Sequence, residues 1–289
     1  MIGVPHMLSA LAFLGDAAEF ARWTLLALIQ GLTEFLPISS SGHLVLVQSA
    51  LGLEEPALGL DIALHVGTLV AVFVVYRRDL SEIVSRAFSG DLTEVVLLVV
   101  GSIPAAVVGI GLKDRIHAAY GSERMAALGL LLTAAVLAVG AWVQARRGGR
   151  AVDHGEAELP ADPPRSLGKR LLPAFLVGCS QAMAILPGVS RSGSTIVAGI
   201  LLGESPARAA RFSFLLSIPA ILGAAVLQIP DAVQGGQGGG GLAILWYAAF
   251  AGFVGWGALR VLLAFLARGA FRWFSVYCAA LATGVLLFT

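Results

Sequence analysis

Six apolar stretches, residues 58–76, 93–112, 125–143, 207–228, 242–266 and 273–288, are each long enough to cross a bilayer as a helix. A spanning helix needs about 20 mostly apolar residues. Hydrocarbon offers no partner for an exposed backbone N–H or C=O, so such a stretch must satisfy its own backbone. Composition removes the water-soluble alternative. Hydrophobic residues make up 57% of the 289 and charged residues 13%, against about 45–50% apolar and about 25% charged in a soluble domain. With a mean hydropathy of +0.86, the polar residues are too few to cover such a chain in water. The expectation is an all-α integral membrane protein forming a single membrane domain over residues 1–289. A net charge of +1 argues against nucleic acid as a partner. Cys179 and Cys278 sit in apolar runs without metal-ligand spacing and read as small buried hydrophobes. The first ten residues contain no Lys or Arg, and their apolar run continues to Asp16 and Glu19. That is unlike a cleaved signal and predicts a retained helix lying at or dipping into the interface.

Two further apolar stretches are short and interrupted. Residues 23–36 run into Pro37-Ile38-Ser39-Ser40-Ser41-Gly42, and 43–51 follow. Residues 171–186 run into Pro187-Gly188-Val189-Ser190-Arg191-Ser192-Gly193, and 194–202 follow. Pro and Gly stop a helix and Ser starts one, so each reads as two half-helices meeting at a polar elbow, a re-entrant hairpin. Irregular backbone at membrane depth is tolerated only where it lines protein or a water cavity.

Orientation follows from basic residues, which favour cytoplasmic loops. Arg77, Arg78 and Arg86 fall in one loop, Arg146, Arg147, Arg150, Arg165, Lys169 and Arg170 in a second, and Arg268 and Arg272 in a third. Residues 52–57 and the Gly-rich 230–241, which carry no Lys or Arg, are then outside. The loop with Lys113, Arg115 and Arg124 falls outside too, against the trend. The hairpins enter from opposite sides, and they also match. Gln30 lies nine residues before Ser39 and Gln181 nine before Ser190, and Ser39-x-Ser41-Gly42 parallels Ser190-x-Ser192-Gly193. This predicts an inverted-topology repeat, residues 23–143 and 171–289, joined by a polar cytoplasmic linker at 144–170. Broken helices in such a repeat build a site near the midplane.

The candidate chemistry clusters at the elbows. Gln30 and Glu34 are four apart and share a helix face. A carboxylate at this depth is costly and marks function by default, the bland alternative being a packing pair with an Arg. At least one of Ser39, Ser40 and Ser41 caps the second half-helix. Three hydroxyls beside His43 exceed what a cap needs, and Ser40 is three residues from His43, within reach on the first turn. Arg191 sits between Ser190 and Ser192, with Ser194 and Thr195 beyond. Its planar fork of donors suits phosphate, and a helix N-terminus attracts the same anion. The plain alternative ties Arg191 to a carbonyl or to Glu34 across the repeat. Asp61 and His65 are partners of the elbow or an interfacial polar pair. His6, His117 and His154 read as solvated, Arg208 and Arg211 as interfacial anchors, and Arg260 as a snorkelling side chain.

The run from Gln30 through Glu34 and Pro37 to Ser39-Ser40-Ser41-Gly42-His43 resembles the first signature of the undecaprenyl-diphosphatase, or bacitracin-resistance, family. Residues 187–195 resemble its second signature, and length and motif order agree along almost the whole chain. The resemblance implies hydrolysis of undecaprenyl diphosphate to undecaprenyl phosphate and phosphate, recycling the lipid carrier of cell-wall synthesis at a bacterial plasma membrane. It implies a divalent cation, Mg²⁺ or Ca²⁺, with Glu34 and Gln30 as its ligands. Gln30 stands where many members have Glu, a departure from a site built on two carboxylates. It further implies that Ser40 or His43 is nucleophile or acid/base and that Arg191 grips the diphosphate. Ser39, Ser41, Ser190, Ser192, Ser194, Thr195 and Gln30 are the candidate substrate contacts. The partners expected are the polyprenyl diphosphate and membrane lipid, with a homodimer left open. The rival reading is a transporter or flippase for a polyprenyl phosphate lipid, since inverted repeats with broken helices also build transporters. A second class of membrane lipid phosphatase is excluded, because its motif needs a histidine where this chain has Val197.

Overall fold

The computed structural model describes residues 4–53, 58–147, 166–235, 241–266 and 271–289. Among them every regular element is a helix. Twelve follow in order: α1 (Val4–Phe35), α2 (Ser40–Ala50), α3 (Leu58–Val75), α4 (Arg77–Phe88), α5 (Thr93–Gly111), α6 (Lys113–Tyr120), α7 (Glu123–Arg146), α8 (Leu167–Met183), α9 (Arg191–Leu201), α10 (Pro206–Gly235), α11 (Gly241–Leu266) and α12 (Phe271–Phe288). The six expected spans are α3, α5, α7, α10, α11 and α12. Five are long and apolar enough alone, and α3 qualifies together with α4, from which it is bent by 76° at Tyr76. This is a multi-pass membrane protein.

Three expectations are corrected. Residues 4–35 form one helix of 32 residues, so no separate interfacial helix precedes the first hairpin arm. Pro5 lies in its first turn, where proline is tolerated, and Gly15 is its only glycine before Gly31, costing about 1 kcal/mol, too little to break it. Second, the basic segments around Arg77 and Lys113 are the helices α4 and α6 rather than open loops. Third, the linker is helical at both ends, since α7 runs to Arg146 and α8 starts at Leu167. The rest of the linker, with Arg150, His154 and Arg165, lies outside the described residues. So do residues 54–57 and 236–240, Arg268, and the side chains of His6 and His117.

The outer surface is apolar, unlike that of a soluble protein. Val99, Val107 and Ile110 of α5 are each more than half exposed, a face suited to lipid. The core is mainly apolar but encloses polar side chains, with Gln30, Glu34, His43, Gln181, Thr195 and Ser213 all buried. Beneath the elbows Phe214 packs between Phe35 and Tyr76, with centroids 5.7 and 6.0 Å away. The arms α1 and α8 lie on α11 and α5 respectively, while α3 packs on α11 and α10, and α10 in turn on α5. The seams depend on small residues, as expected where lipid supplies no hydrophobic drive between helices. A Cβ at Gly67 would stand 2.1 Å from the Ala248 carbonyl, and one at Gly178 would stand 2.2 Å from the Gly101 carbonyl.

Both breaks are capped in the same way. Ser39 is the N-cap of α2 and its Oγ accepts from the Gly42 amide at 3.2 Å. Ser190 is the N-cap of α9 and accepts from the Gly193 amide at 3.1 Å. The hydroxyls of Ser39 and Ser41 are 3.2 Å apart, those of Ser190 and Ser192 3.3 Å. The turns differ in where strain is placed. In the first elbow Ser39 itself adopts φ +70°, and among the described residues no other non-glycine has a positive φ. In the second the positive φ falls on Gly188, where a Cβ would also meet the Ala126 carbonyl at 1.9 Å.

Candidate active site

The elbows touch. A Cβ at Gly42 would lie 2.8 Å from the Gly188 Cα, and the Ser192 hydroxyl donates to the Leu36 carbonyl at 3.3 Å. Thr133 of α7 braces the second elbow. Its Oγ1 accepts from the Ser190 amide and donates to the Gly188 carbonyl, both at 2.8 Å.

Glu34, in the last turn of α1, is the hub. Its Oε1 accepts from Arg191 Nη2 at 2.8 Å. Its Oε2 accepts from the Ser40 hydroxyl at 2.7 Å and from Gln30 Nε2 at 3.0 Å, with His65 Nε2 at 3.6 Å. Four helices thus converge on one buried carboxylate, which would otherwise be too costly to ionise. The alternative that tied Arg191 to Glu34 is therefore realised. Arg191 Nη1 also donates to the Ser213 carbonyl at 3.4 Å. Thr195 donates to the Arg191 carbonyl at 2.7 Å and shares a 2.6 Å bond with the Ser213 hydroxyl. Ser194 is buried alongside.

Asp61 and His65 join the elbow. The Gln48 amide donates to both Asp61 carboxylate oxygens at 3.0 and 3.2 Å, and His65 Nδ1 lies 2.7 Å from the Asp61 carbonyl. That carbonyl only accepts, so Nδ1 carries the proton and Nε2 is the nitrogen facing Glu34.

The expected Ser40–His43 pair is not formed. Ser40 turns back to Glu34, while His43 Nδ1 donates to the Ser39 carbonyl at 2.7 Å. His43 Nε2 meets the Tyr277 hydroxyl of α12 at 2.8 Å. The N-cap carbonyl captures one ring nitrogen and thereby swings the imidazole away from its neighbour in sequence. Tyr277, Ser213, Thr133 and Gln48 were missed by sequence reasoning. Each is a polar side chain inside an apolar stretch, the signal that could have found it.

Gln30 Oε1 is buried without a partner among the described residues. It is a hard oxygen beside a carboxylate, of the type Mg²⁺ or Ca²⁺ takes. No three His, Cys, Asp or Glu side chains among the described residues are grouped to hold a metal. A cation here would need further ligands from outside the described side chains.

The basic residues assigned as anchors do more than that. Arg211 pairs with Asp79 and, at 3.3 Å, with Glu94, which also holds Arg170 at 2.7 Å. This ion-pair clasp joins α4, α5, α8 and α10. Arg208 pairs with Glu204 at 3.1 Å, and Arg260 stacks over Trp256 at 4.6 Å.

Fold and site together define a helical, multi-pass membrane protein with a buried polar centre around Glu34 where two broken helices meet. The chain belongs to the family of the bacitracin resistance protein BacA, whose pattern matches residues 23–284. It is similar to the undecaprenyl-diphosphatase of Desulfosudis oleivorans, 42% identical over 277 residues that cover 90% of this chain and 95% of the relative. The undecaprenyl-diphosphatase of Rubrobacter xylanophilus is 40% identical over 283 residues, covering 91% and 96%. That of Carboxydothermus hydrogenoformans is 37% identical over 267, covering 91% and 95%.

Proposed function

We propose that this chain hydrolyses undecaprenyl diphosphate to undecaprenyl phosphate and phosphate, and so recycles the lipid carrier of cell-wall synthesis. The observation that carries the mechanism is the sharing of the Glu34 carboxylate between Arg191 and Ser40 at two apposed helix N-termini. The cap bonds use the amides of Gly42 and Gly193, which leaves the first amides of α2 and α9 to face an incoming anion. The diphosphate takes the Arg191 fork from Glu34. Glu34 Oε2, which already accepts from the Ser40 hydroxyl, takes its proton, and Oε1 is left open by Arg191. The Ser40 oxygen bonds the terminal phosphorus, the bridging P–O bond breaks, and undecaprenyl phosphate leaves with the bridging oxygen. In the second half a water attacks the phosphoserine, its proton passes to His43 Nε2, and the Ser40 oxygen recovers the proton held by Glu34. Phosphate departs and His43 returns its proton to solvent.

A divalent cation, Mg²⁺ or Ca²⁺, would be held by Glu34 and the Gln30 carbonyl oxygen, with phosphate oxygens and water completing its shell. When bound it neutralises charge on the diphosphate. Ser39, Ser41, Ser190, Ser192, Ser194 and Thr195 surround the anion as hydroxyl contacts or hold those that do.

The halves 23–143 and 171–289 form an inverted repeat in this reading. Matched caps support it, as do matched neighbours, α1 on α11 and α8 on α5. The excess of basic residues in the assigned cytoplasmic segments opens the site to the outer face of a bacterial plasma membrane. The transporter reading has no observation of its own in its favour. The decisive experiment is phosphate release from the C55 diphosphate by purified protein, with and without EDTA. A well-folded preparation that releases none would end the hydrolase reading.

A further inference from the structure

His43 is gripped from two sides. The Ser39 carbonyl takes the Nδ1 proton at 2.7 Å, which leaves Nε2 as the unprotonated, basic nitrogen of the neutral ring. The Tyr277 hydroxyl lies 2.8 Å from that nitrogen. The two rings are also parallel within 5°, with centroids 5.7 Å apart. His43 is buried, at 7% exposure, while Tyr277 is 44% exposed on α12, so the tyrosine is the layer between the imidazole and the surroundings. A half-exposed aromatic on a lipid-facing helix needs no inward hydroxyl partner for packing, and phenylalanine would stack equally well.

We propose that Tyr277 is a positioning residue for His43, holding the ring in the one plane and rotamer that presents Nε2 as a base. This rests on the reading of His43 as the group that takes the proton of the attacking water. The Ser39 carbonyl sets the tautomer, and Tyr277 sets the direction of the lone pair. The phenol hydroxyl keeps the imidazole from turning until the water entering for the second half-reaction takes its place on Nε2. The helix that carries Tyr277 is anchored independently of it. The Ser275 hydroxyl donates to the Ala134 carbonyl at 2.8 Å, and the Cys278 thiol reaches the Pro37 carbonyl at 4.0 Å. Removing one hydroxyl therefore leaves α12 in place.

The test uses full-length protein, the C55 diphosphate, and the variants Tyr277→Phe, His43→Asn and both together. Loss of one hydrogen bond predicts a fall in kcat of about three- to tenfold for Tyr277→Phe. KM should stay within about twofold, because substrate binding is not touched. On the His43→Asn background the same change should have no further effect. Wild-type kcat in Tyr277→Phe beside a damaged His43→Asn would overturn the proposal, as would an equal loss on both backgrounds. Wild-type turnover in His43→Asn would instead remove the underlying reading of His43. If His43→Asn is too slow to compare, the ¹⁵N shifts of the His43 ring decide. A displaced Nε2 signal in Tyr277→Phe supports the contact, and an unchanged one refutes it.

Discussion

Replacing Glu34 by Gln tests the hub of the site directly. The substitution keeps volume and one acceptor oxygen but removes the charge. Glu34 has 5% side-chain exposure and Arg191 15%, so the guanidinium is left nearly buried without its counter-ion. Breaking a buried pair on one side costs about 3–5 kcal/mol. The retained amide oxygen places the expected loss at the lower end, about 3 kcal/mol. Catalysis should suffer separately, because removal of a general base lowers the rate by about 10²–10⁴. The two effects are separable. Adding Arg191→Met to Glu34→Gln removes the stranded charge and should restore stability, since uncharged replacements of a whole buried pair are near neutral. Activity should stay lost. Thermal unfolding in a fixed detergent and phosphate release from the C55 diphosphate, run on the same preparations, give both numbers. A folded Glu34→Gln protein within about tenfold of wild-type turnover would refute the base assignment.

Arg191→Lys keeps the charge but loses the fork that now reaches both Glu34 and the Ser213 carbonyl. A fall in kcat/KM of at least about tenfold, about 1.4 kcal/mol, is expected, and near-normal turnover would remove Arg191 from the phosphate site. EDTA should abolish phosphate release, and Gln30→Glu should retain activity with an altered preference between Mg²⁺ and Ca²⁺; activity indifferent to chelator would dismiss the cation. In intact spheroplasts Ser40→Cys should react with a membrane-impermeant thiol reagent from outside and Ala151→Cys should not, and the reverse pattern would invert the topology.

The spans were legible because their signal is local and redundant. Some twenty apolar residues in series declare a membrane helix whatever they later touch, and five of the six expected spans qualify by length and hydropathy alone. The elbows were legible for a related reason. Pro37, Gly188 and the two S-x-S-G runs act on their own backbone, and both serines cap where the motif placed them. Glu34 and Arg191 were identifiable as charges in apolar surroundings, and their pairing across the repeat was one of two alternatives that only the packed helices could decide. Amphipathic α4 and α6 were hidden, because short helices rich in charge read like loops.

What the chain could not declare locally is which side chain meets which. Ser40 and His43 are neighbours on one helical turn, yet Ser40 bonds Glu34 and His43 bonds Tyr277, 234 residues away. His65 and Asp61 became part of the elbow only because α3 packs beside α1 and Gln48 of α2 reaches across. Hydropathy and helix stops are properties of a segment and survive in any arrangement of the helices. Hydrogen-bond partners are chosen by distances of about 3 Å between elements remote in sequence, so they exist only once the helices have met.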